Sequence, residues 1–297
     1  MAEQKSARRS CLYMPGSNER ALEKAKGLAA DTLIFDLEDA VRPDAKETAR
    51  QLVCDAVRSR AYGSREVIVR INGLDTPWGE DDLTAAIAAE PDGVLLPKVE
   101  TAATLKRVAE LIAQNGGNSE MPIWAMIETP KGILNVADIA KQAEHMPLSA
   151  FVVGTNDLAK EMRVTAQPHR SNFLFALSNI ATAALAYGIT PIDGVYNSIT
   201  DTEGLAAECE HGIQLGFKGK TLIHPSQLET ANTLFAPSDE EVAEAQAIVD
   251  AFKLPENAGR GVITVDGKMV EILHLESARE LLARANAISS LTSERSE

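Results

Sequence analysis

Short, continuous apolar runs recur along the chain, and each is followed by a segment with helical spacing. The runs are CLYM (11–14), TLIFDL (32–37), EVIVRI (66–71), GVLLPKV (93–99), PIWAMIE (122–128), AFVVG (150–154), ITPIDGV (189–195) and KTLIH (220–224). A strand that is apolar on both faces must be covered on both, which is the condition of a parallel sheet flanked by crossover helices. The pieces between them, such as ERALEKAKGLAA (19–30), ATLKRVAELIAQ (103–114) and NFLFALSNIATAALAYG (172–188), are amphipathic or apolar helical stretches. About eight such units in roughly 225 residues predict an α/β fold, a (β/α)₈ TIM barrel over residues 1–235. An open doubly wound sheet is the alternative. No Gly-rich dinucleotide fingerprint follows any of the runs, which weakens it.

The repeat ends near FAPSDEE (235–241), where Pro237 marks a linker and Ser238 a helix cap. A helix is expected over about 239–253, then a Pro/Gly-rich connection. Asp266-Gly267 between β-branched runs predicts a small hairpin. A last helix is expected over ESARELLARANAI (276–288). This extension, 236–297, is too small to be a strong independent domain. It is expected to pack on the barrel or on a neighbouring subunit.

Composition excludes several classes. The formal net charge is −14, which argues against nucleic-acid binding through a broad basic face. The three cysteines, Cys11, Cys54 and Cys209, have no paired spacing, so neither a disulfide framework nor a zinc site is expected. No apolar run of about 18 residues is present, so no membrane span is expected and a cytoplasmic protein is the reading.

In a barrel of this kind, function gathers where the strands end. The polar residues there are Asp36, Glu38 and Asp39 after the second run, and Arg70 and Asn72 after the third. Pro97-Lys98 follows the fourth, Glu128 the fifth, Asn156 and Asp157 the sixth, Asp193 the seventh, and His224 the eighth. Glu128 and Asp157, on successive strands, would repel each other, and one would take up a proton unless a cation intervened. Hard carboxylates with no Cys among them favour Mg²⁺, or Mn²⁺, over Zn²⁺. On spacing alone Asp157 serves equally as the cap of a helix starting at Leu158. Ser17 is expected to cap the helix from Glu19. Asp36, Glu38 and Asp39 either join the site or form salt bridges with Arg42 or Lys46. A buried strand ending in Arg70 requires an anionic partner, Glu38 or a substrate oxyanion. His211 and His224 are expected to be structural.

The ordered set CLYMPGSNERALEKA, IFDLEDAV, VRIN, LLPKVE, MIETPKGILN, VVGTNDLA and KTLIHPSQ covers nearly the whole chain. It resembles the citrate lyase β-subunit-like (CitE-like) enzymes of the HpcH/HpaI aldolase superfamily. The resemblance implies a barrel with a C-terminal extension, trimers or hexamers, and CoA thioesters of β-hydroxy acids (malyl-, methylmalyl- or citramalyl-CoA) as substrates. It implies that Glu128 and Asp157 bind Mg²⁺ and that Arg70 contacts the thioester or enolate oxygen. Glu38 and Asp39 would hold metal waters and orient Arg70, and Gly154, Thr155 and Asn156 would hold the substrate carboxylate. Arg20 and Lys26 would lie near the CoA phosphates. The extension would reach over a neighbouring subunit's site and supply an acid/base carboxylate.

The family's lyases place Asp at the end of that tail motif, whereas this chain has Glu271. The tail, with VYN (195–197) and AECEHG (207–212), is more similar to the branch that includes (3S)-malyl-CoA thioesterases. The expected activity is a retro-Claisen CoA-ester lyase. The alternatives are a (3S)-malyl-CoA thioesterase, and a citrate lyase β-subunit that works only with an acyl-carrier partner.

Overall fold

A computed structural model of the chain describes residues 7–165 and 168–294. Eight strands pair in parallel, each with the next: β1 (Ser10–Pro15), β2 (Thr32–Asp36), β3 (Glu66–Arg70), β4 (Gly93–Leu96), β5 (Ile123–Ile127), β6 (Leu148–Val153), β7 (Thr190–Asp193) and β8 (Gly219–Leu222). β8 returns to pair with β1, and the sheet closes into a barrel. The helices outside it are α1 (Glu19–Ala25), α2 (Lys46–Arg58), α3 (Gly79–Ala89), α4 (Ala102–Gln114), α5 (Pro130–Leu134), α6 (Val136–Ala140), α7 (Thr155–Met162), α8 (Leu174–Ala186), α9 (Thr202–Gln214) and α10 (Leu228–Leu234). The expected (β/α)₈ barrel is the observed fold, and all eight apolar runs are its strands.

Side chains alternate across each strand, so one set fills the barrel and the other meets the helices. Cys11, Ile34, Ile68, Leu95, Trp124, Met126, Ala150, Val152 and Ile192 form the interior cluster. Leu33, Phe35, Val67, Val69, Val94, Leu96 and Phe151 join the second, larger cluster with Leu83, Leu105, Val108 and Ile180 of the helices. Each large apolar side chain so buried contributes about 1.5–3 kcal/mol. This two-sided burial is why the strands read as unbroken apolar runs. Arg8 closes the barrel floor: it forks onto Glu66 at 2.7 and 2.9 Å, and its guanidinium lies 4.7 Å from the Trp124 ring centre.

The strand alignment sets the other end. β2 and β3 pair with Asp36 opposite Arg70, each at its strand's last position. Glu128 follows β5 and Gly154 follows β6 directly, so all four residues lie on one rim.

Two local expectations are corrected. Asn18, not Ser17, caps α1; its side chain accepts the Ala21 N–H at 3.1 Å. Asp157 does not cap a helix at Leu158, because α7 begins at Thr155 with Gly154 in the cap position. Asp157 sits inside the first turn, where a carboxylate meets the positive end of the helix dipole.

The chain divides into two compact units: Arg8–Phe235, which is the barrel, and a unit built from Ala236 onward. In the second, Ser238 caps α11 (Asp239–Lys253) through a capping box with Glu241. β9 (Val262–Val265) and β10 (Lys268–Glu271) form the expected hairpin. Asp266 (φ 48°) and Gly267 (φ 78°) make its turn, both left-handed as a two-residue hairpin of this kind requires. α12 runs Ile272–Glu294, starting a turn earlier than the sequence suggests, and packs on α11 through Ala245, Val249, Leu275 and Ala278. Among the described residues no helix is long and apolar enough to cross a membrane.

Candidate active site

The rim of the barrel carries a buried charge cluster around Arg70. Its Nε and Nη2 fork onto Asp36 at 2.7 and 2.6 Å, and Nη1 meets Glu38 at 2.8 Å and Asp39 at 3.9 Å. The guanidinium lies over the Tyr13 ring, 4.8 Å from its centre, which adds a cation–π contact to these bonds. The anionic partner that a buried arginine demands is therefore principally Asp36, with Glu38 second. Asp36 is held in turn by the N–H groups of Glu38 and Ala40, at 2.8 and 3.0 Å. Burial pushes the Asp36 carboxyl up, but the Arg70 charge and these hydrogen bonds outweigh it and hold the group below the usual carboxylate range. Burial raises the Glu38 carboxyl, and the Arg70 charge only partly offsets that push.

The alternative reading of these carboxylates, salt bridges with Arg42 or Lys46, is not found among the described residues. Arg42 pairs with Asp44. Lys46 is buried and donates to the carbonyls of Leu37 and Glu38 and to Asn72 Oδ1, at 2.7–2.8 Å. It pins the β2–α2 loop to β3.

Glu128 is 1% exposed. Its Oε1 accepts the Lys98 N–H at 2.7 Å, while Oε2 is buried with no hydrogen-bond partner. Burial pushes this carboxyl up to about 8, the Lys98 N–H opposes that, and the charges of Glu38 and Asp157 add to it. A Cβ at position 154 would collide with Glu128 Oε2 and Cβ, so only glycine leaves that oxygen its place. The Lys98 ammonium lies 3.3 Å from Glu38 Oε1 and 3.6 Å from Asp157 Oδ1. The chain thus brings Glu38, Asp39, Arg70, Glu128, Gly154 and Asp157 together. Among the described residues no group of three or more His, Cys, Asp or Glu side chains forms a ready-made metal cage. A hard cation fits two of these carboxylates: a buried carboxylate oxygen lacks a partner, and Mg²⁺ characteristically takes one or two carboxylates and completes its shell with water and substrate oxygens.

The HpcH/HpaI aldolase/citrate lyase family model matches residues 9–225. The chain belongs to that family. A (3S)-malyl-CoA thioesterase of Cereibacter sphaeroides is 51% identical over 289 residues, covering 97% of this chain and 98% of that protein. The citrate lyase subunit beta of Escherichia coli K12 is 36% identical over 285 residues, covering 94% of this chain and 93% of that protein. A crystal structure of CitE from Mycobacterium tuberculosis in complex with magnesium, acetoacetate and coenzyme A superposes with a TM-score of 0.74 at 30% identity, covering 95% of this chain and 99% of that one. The chain is an enzyme of a family whose named relatives include a thioester hydrolase and a lyase subunit.

The other expected positions are placed as follows. Thr155 is buried at the start of α7. The Asn156 amide exchanges two hydrogen bonds with Asn197, at 3.2 and 2.7 Å, which ties the β6 end to the segment after β7. Arg20 is exposed on α1, and Lys26 pairs with Glu23 at 2.5 Å; among the described residues no ion pair joins either to the Arg70 cluster. Glu271 ends β10 in the C-terminal unit, with its N–H on His274 Nδ1 at 3.0 Å. Asp193 is not a rim group. It follows Ile192, which faces the interior, so it points outward, where Arg170 (2.7 Å) and Lys220 (3.1 Å) neutralise it. His211 Nδ1 lies 3.2 Å from Arg170 and His224 Nδ1 accepts the Ser226 N–H, so both have structural partners.

Sequence reasoning gave Lys98 no role beyond its place at a strand end and did not single out Asp36 as the partner of Arg70, a pairing set by the alignment of β2 on β3. Beside the cluster a cavity of about 270 Å³ opens, lined by Glu38, Asp39, Lys46, Asn72, Trp78 and Lys98.

Proposed function

We propose that the protein is a Mg²⁺-dependent enzyme that hydrolyses the thioester of (3S)-malyl-CoA to malate and CoA. The observation that carries the metal-dependent reading is the buried Glu128 Oε2, unpartnered and close enough to Asp157 to feel its charge. The relative that shares half of this sequence over almost its full length supports the hydrolytic outcome.

Glu128 and Asp157 would hold the cation. Bound there, it would supply Lewis-acid polarisation of a substrate oxygen and a lowered pKa for a coordinated water. Arg70 offers a fixed positive charge to the oxygen of the reacting thioester. Asp36 and Tyr13 hold it in place beforehand, so little reorganisation is needed as negative charge develops. Glu38, its carboxyl raised by burial, is suited to accept a proton from water and hand it to the departing CoA sulfur. Asp39 would hold metal-bound water, the Gly154–Asn156 backbone would take the substrate carboxylate, and Arg20 and Lys26 are the proposed phosphate contacts. Glu271 of a neighbouring copy would supply a further acid/base carboxylate, which makes a homotrimer or hexamer the working form.

A second reading is favoured by the same Arg70 geometry: retro-Claisen cleavage to acetyl-CoA and glyoxylate, with Arg70 stabilising the enolate and Glu271 protonating its carbon. Incubating the purified protein with (3S)-malyl-CoA and Mg²⁺ separates the two. Malate with free CoA is the expected product set. Glyoxylate with acetyl-CoA would replace hydrolysis by the lyase reading, and no product with this or citramalyl-CoA would leave a partner-dependent subunit.

A further inference from the structure

Lys98 has the backbone of a residue placed for a purpose. It follows β4 with φ +48°, a left-handed conformation that glycine adopts freely and a lysine does not. That turn has two results. It aims the Lys98 N–H at Glu128 Oε1, 2.7 Å away, and so leaves Oε2 as the free oxygen. It also sends the side chain across the rim, where the ammonium faces Glu38 Oε1 at 3.3 Å and Asp157 Oδ1 at 3.6 Å. Both separations are longer than a tight charge-assisted bond of about 2.7–2.9 Å. The side chain is 44% exposed, so it is free to move away. A lysine is a compact charge on a flexible stem, and this one already has a second carboxylate, Glu38, to move to. The ammonium and a divalent cation lay claim to the same Asp157 carboxylate.

We propose that Lys98 is the built-in counter-ion of the metal site. With the metal absent its ammonium neutralises Asp157, it withdraws towards Glu38 when the cation binds, and its backbone N–H keeps Glu128 Oε2 directed at the cation throughout. Lys98 is thus a positioning residue that sets metal affinity, and this rests on the proposed Mg²⁺ site. The arrangement keeps three carboxylates close together without a bound metal, and it makes the metal exchangeable by holding a tethered competitor beside it.

The test is Mg²⁺ titration by calorimetry at low ionic strength without substrate, on the whole protein. Lys98→Met keeps the backbone and removes the charge; its Mg²⁺ Kd is expected to fall about tenfold, the effect of deleting one charge beside a half-exposed site. Lys98→Arg keeps the charge and is expected to bind as the wild type does. Should Lys98→Met fail to fold, Lys98→Gly carries the same test, because glycine accepts the φ without strain. A Kd unchanged or weakened in Lys98→Met overturns the proposal, as does equal tightening in Lys98→Arg. Absence of Mg²⁺ binding by the wild type overturns the metal reading and this inference with it.

Discussion

Asp36→Asn isolates the support of Arg70 from Arg70 itself. The wild-type carboxylate is 1% exposed and receives four hydrogen bonds, two from the Arg70 fork and two from backbone N–H groups. An amide has nearly the same shape, yet one of its two heads donates where the fork needs an acceptor. One Arg70 bond and the backbone N–H bond to the same oxygen are lost, and the charge that balances the buried guanidinium goes with them, leaving Glu38 as the close partner. Removing one side of a buried pair costs about 3–5 kcal/mol, and the retained oxygen places this change near the lower end. In a barrel of this size about 3 kcal/mol lowers Tm by roughly 6–12 °C. The guanidinium should also drift from its position, and a displacement near 1 Å costs about 10²-fold in turnover. Thermal unfolding followed by circular dichroism, beside kcat and KM on (3S)-malyl-CoA, reads both. A lower Tm with a kcat loss larger than the KM change is expected. Wild-type Tm and wild-type kcat together would refute the assignment of Asp36 as the residue that holds Arg70.

Three further outcomes are expected. Asp157→Ala should lose Mg²⁺ binding in calorimetry and activity together while its circular dichroism stays that of the wild type; full activity in this variant would remove Asp157 from the metal site. Arg70→Lys should lower kcat by on the order of 10²-fold with a smaller change in KM, because an ammonium cannot make the fork onto Asp36; unchanged turnover would take Arg70 out of the mechanism. Burial raises the Glu128 carboxyl from 4.5 to about 8, so in the metal-free fold it stays protonated where the unfolded chain is ionised. Its contribution to stability therefore falls as pH rises from 4.5 to 8 and is constant above that. Mg²⁺ bound at the proposed site would displace this proton, so binding at pH 7 should release up to about one proton, measurable from the buffer dependence of the binding heat. Glu128→Gln should abolish that release, and a wild-type binding heat independent of buffer would contradict it.

The barrel was legible because burial on both faces leaves the strands few polar positions to interrupt their apolar runs. The rim was legible for the same reason: where the three apolar residues Val67–Val69 meet Arg70, or the five of Ile123–Ile127 meet Glu128, the charge marks the strand end. What pairs with what was not legible. Asp36 lies opposite Arg70 only through the stagger of β2 on β3, a property of the closed sheet, so Glu38 was as good a partner on paper. The turn at Lys98 was hidden because no residue type there announces a positive φ; a glycine would have. Lys46 satisfying carbonyls rather than carboxylates, and Asn18 capping where Ser17 was expected, depend on loop paths that a stretch of sequence leaves open.

On the proposed function, thioester chemistry here needs a divalent cation held by Glu128 and Asp157. The most direct measurement is CoA release from (3S)-malyl-CoA by protein stripped with a chelator, before and after Mg²⁺ is restored. No release is expected without metal, and full recovery with Mg²⁺ in the wild type, with no recovery in Asp157→Ala. Undiminished CoA release by the stripped protein would contradict it.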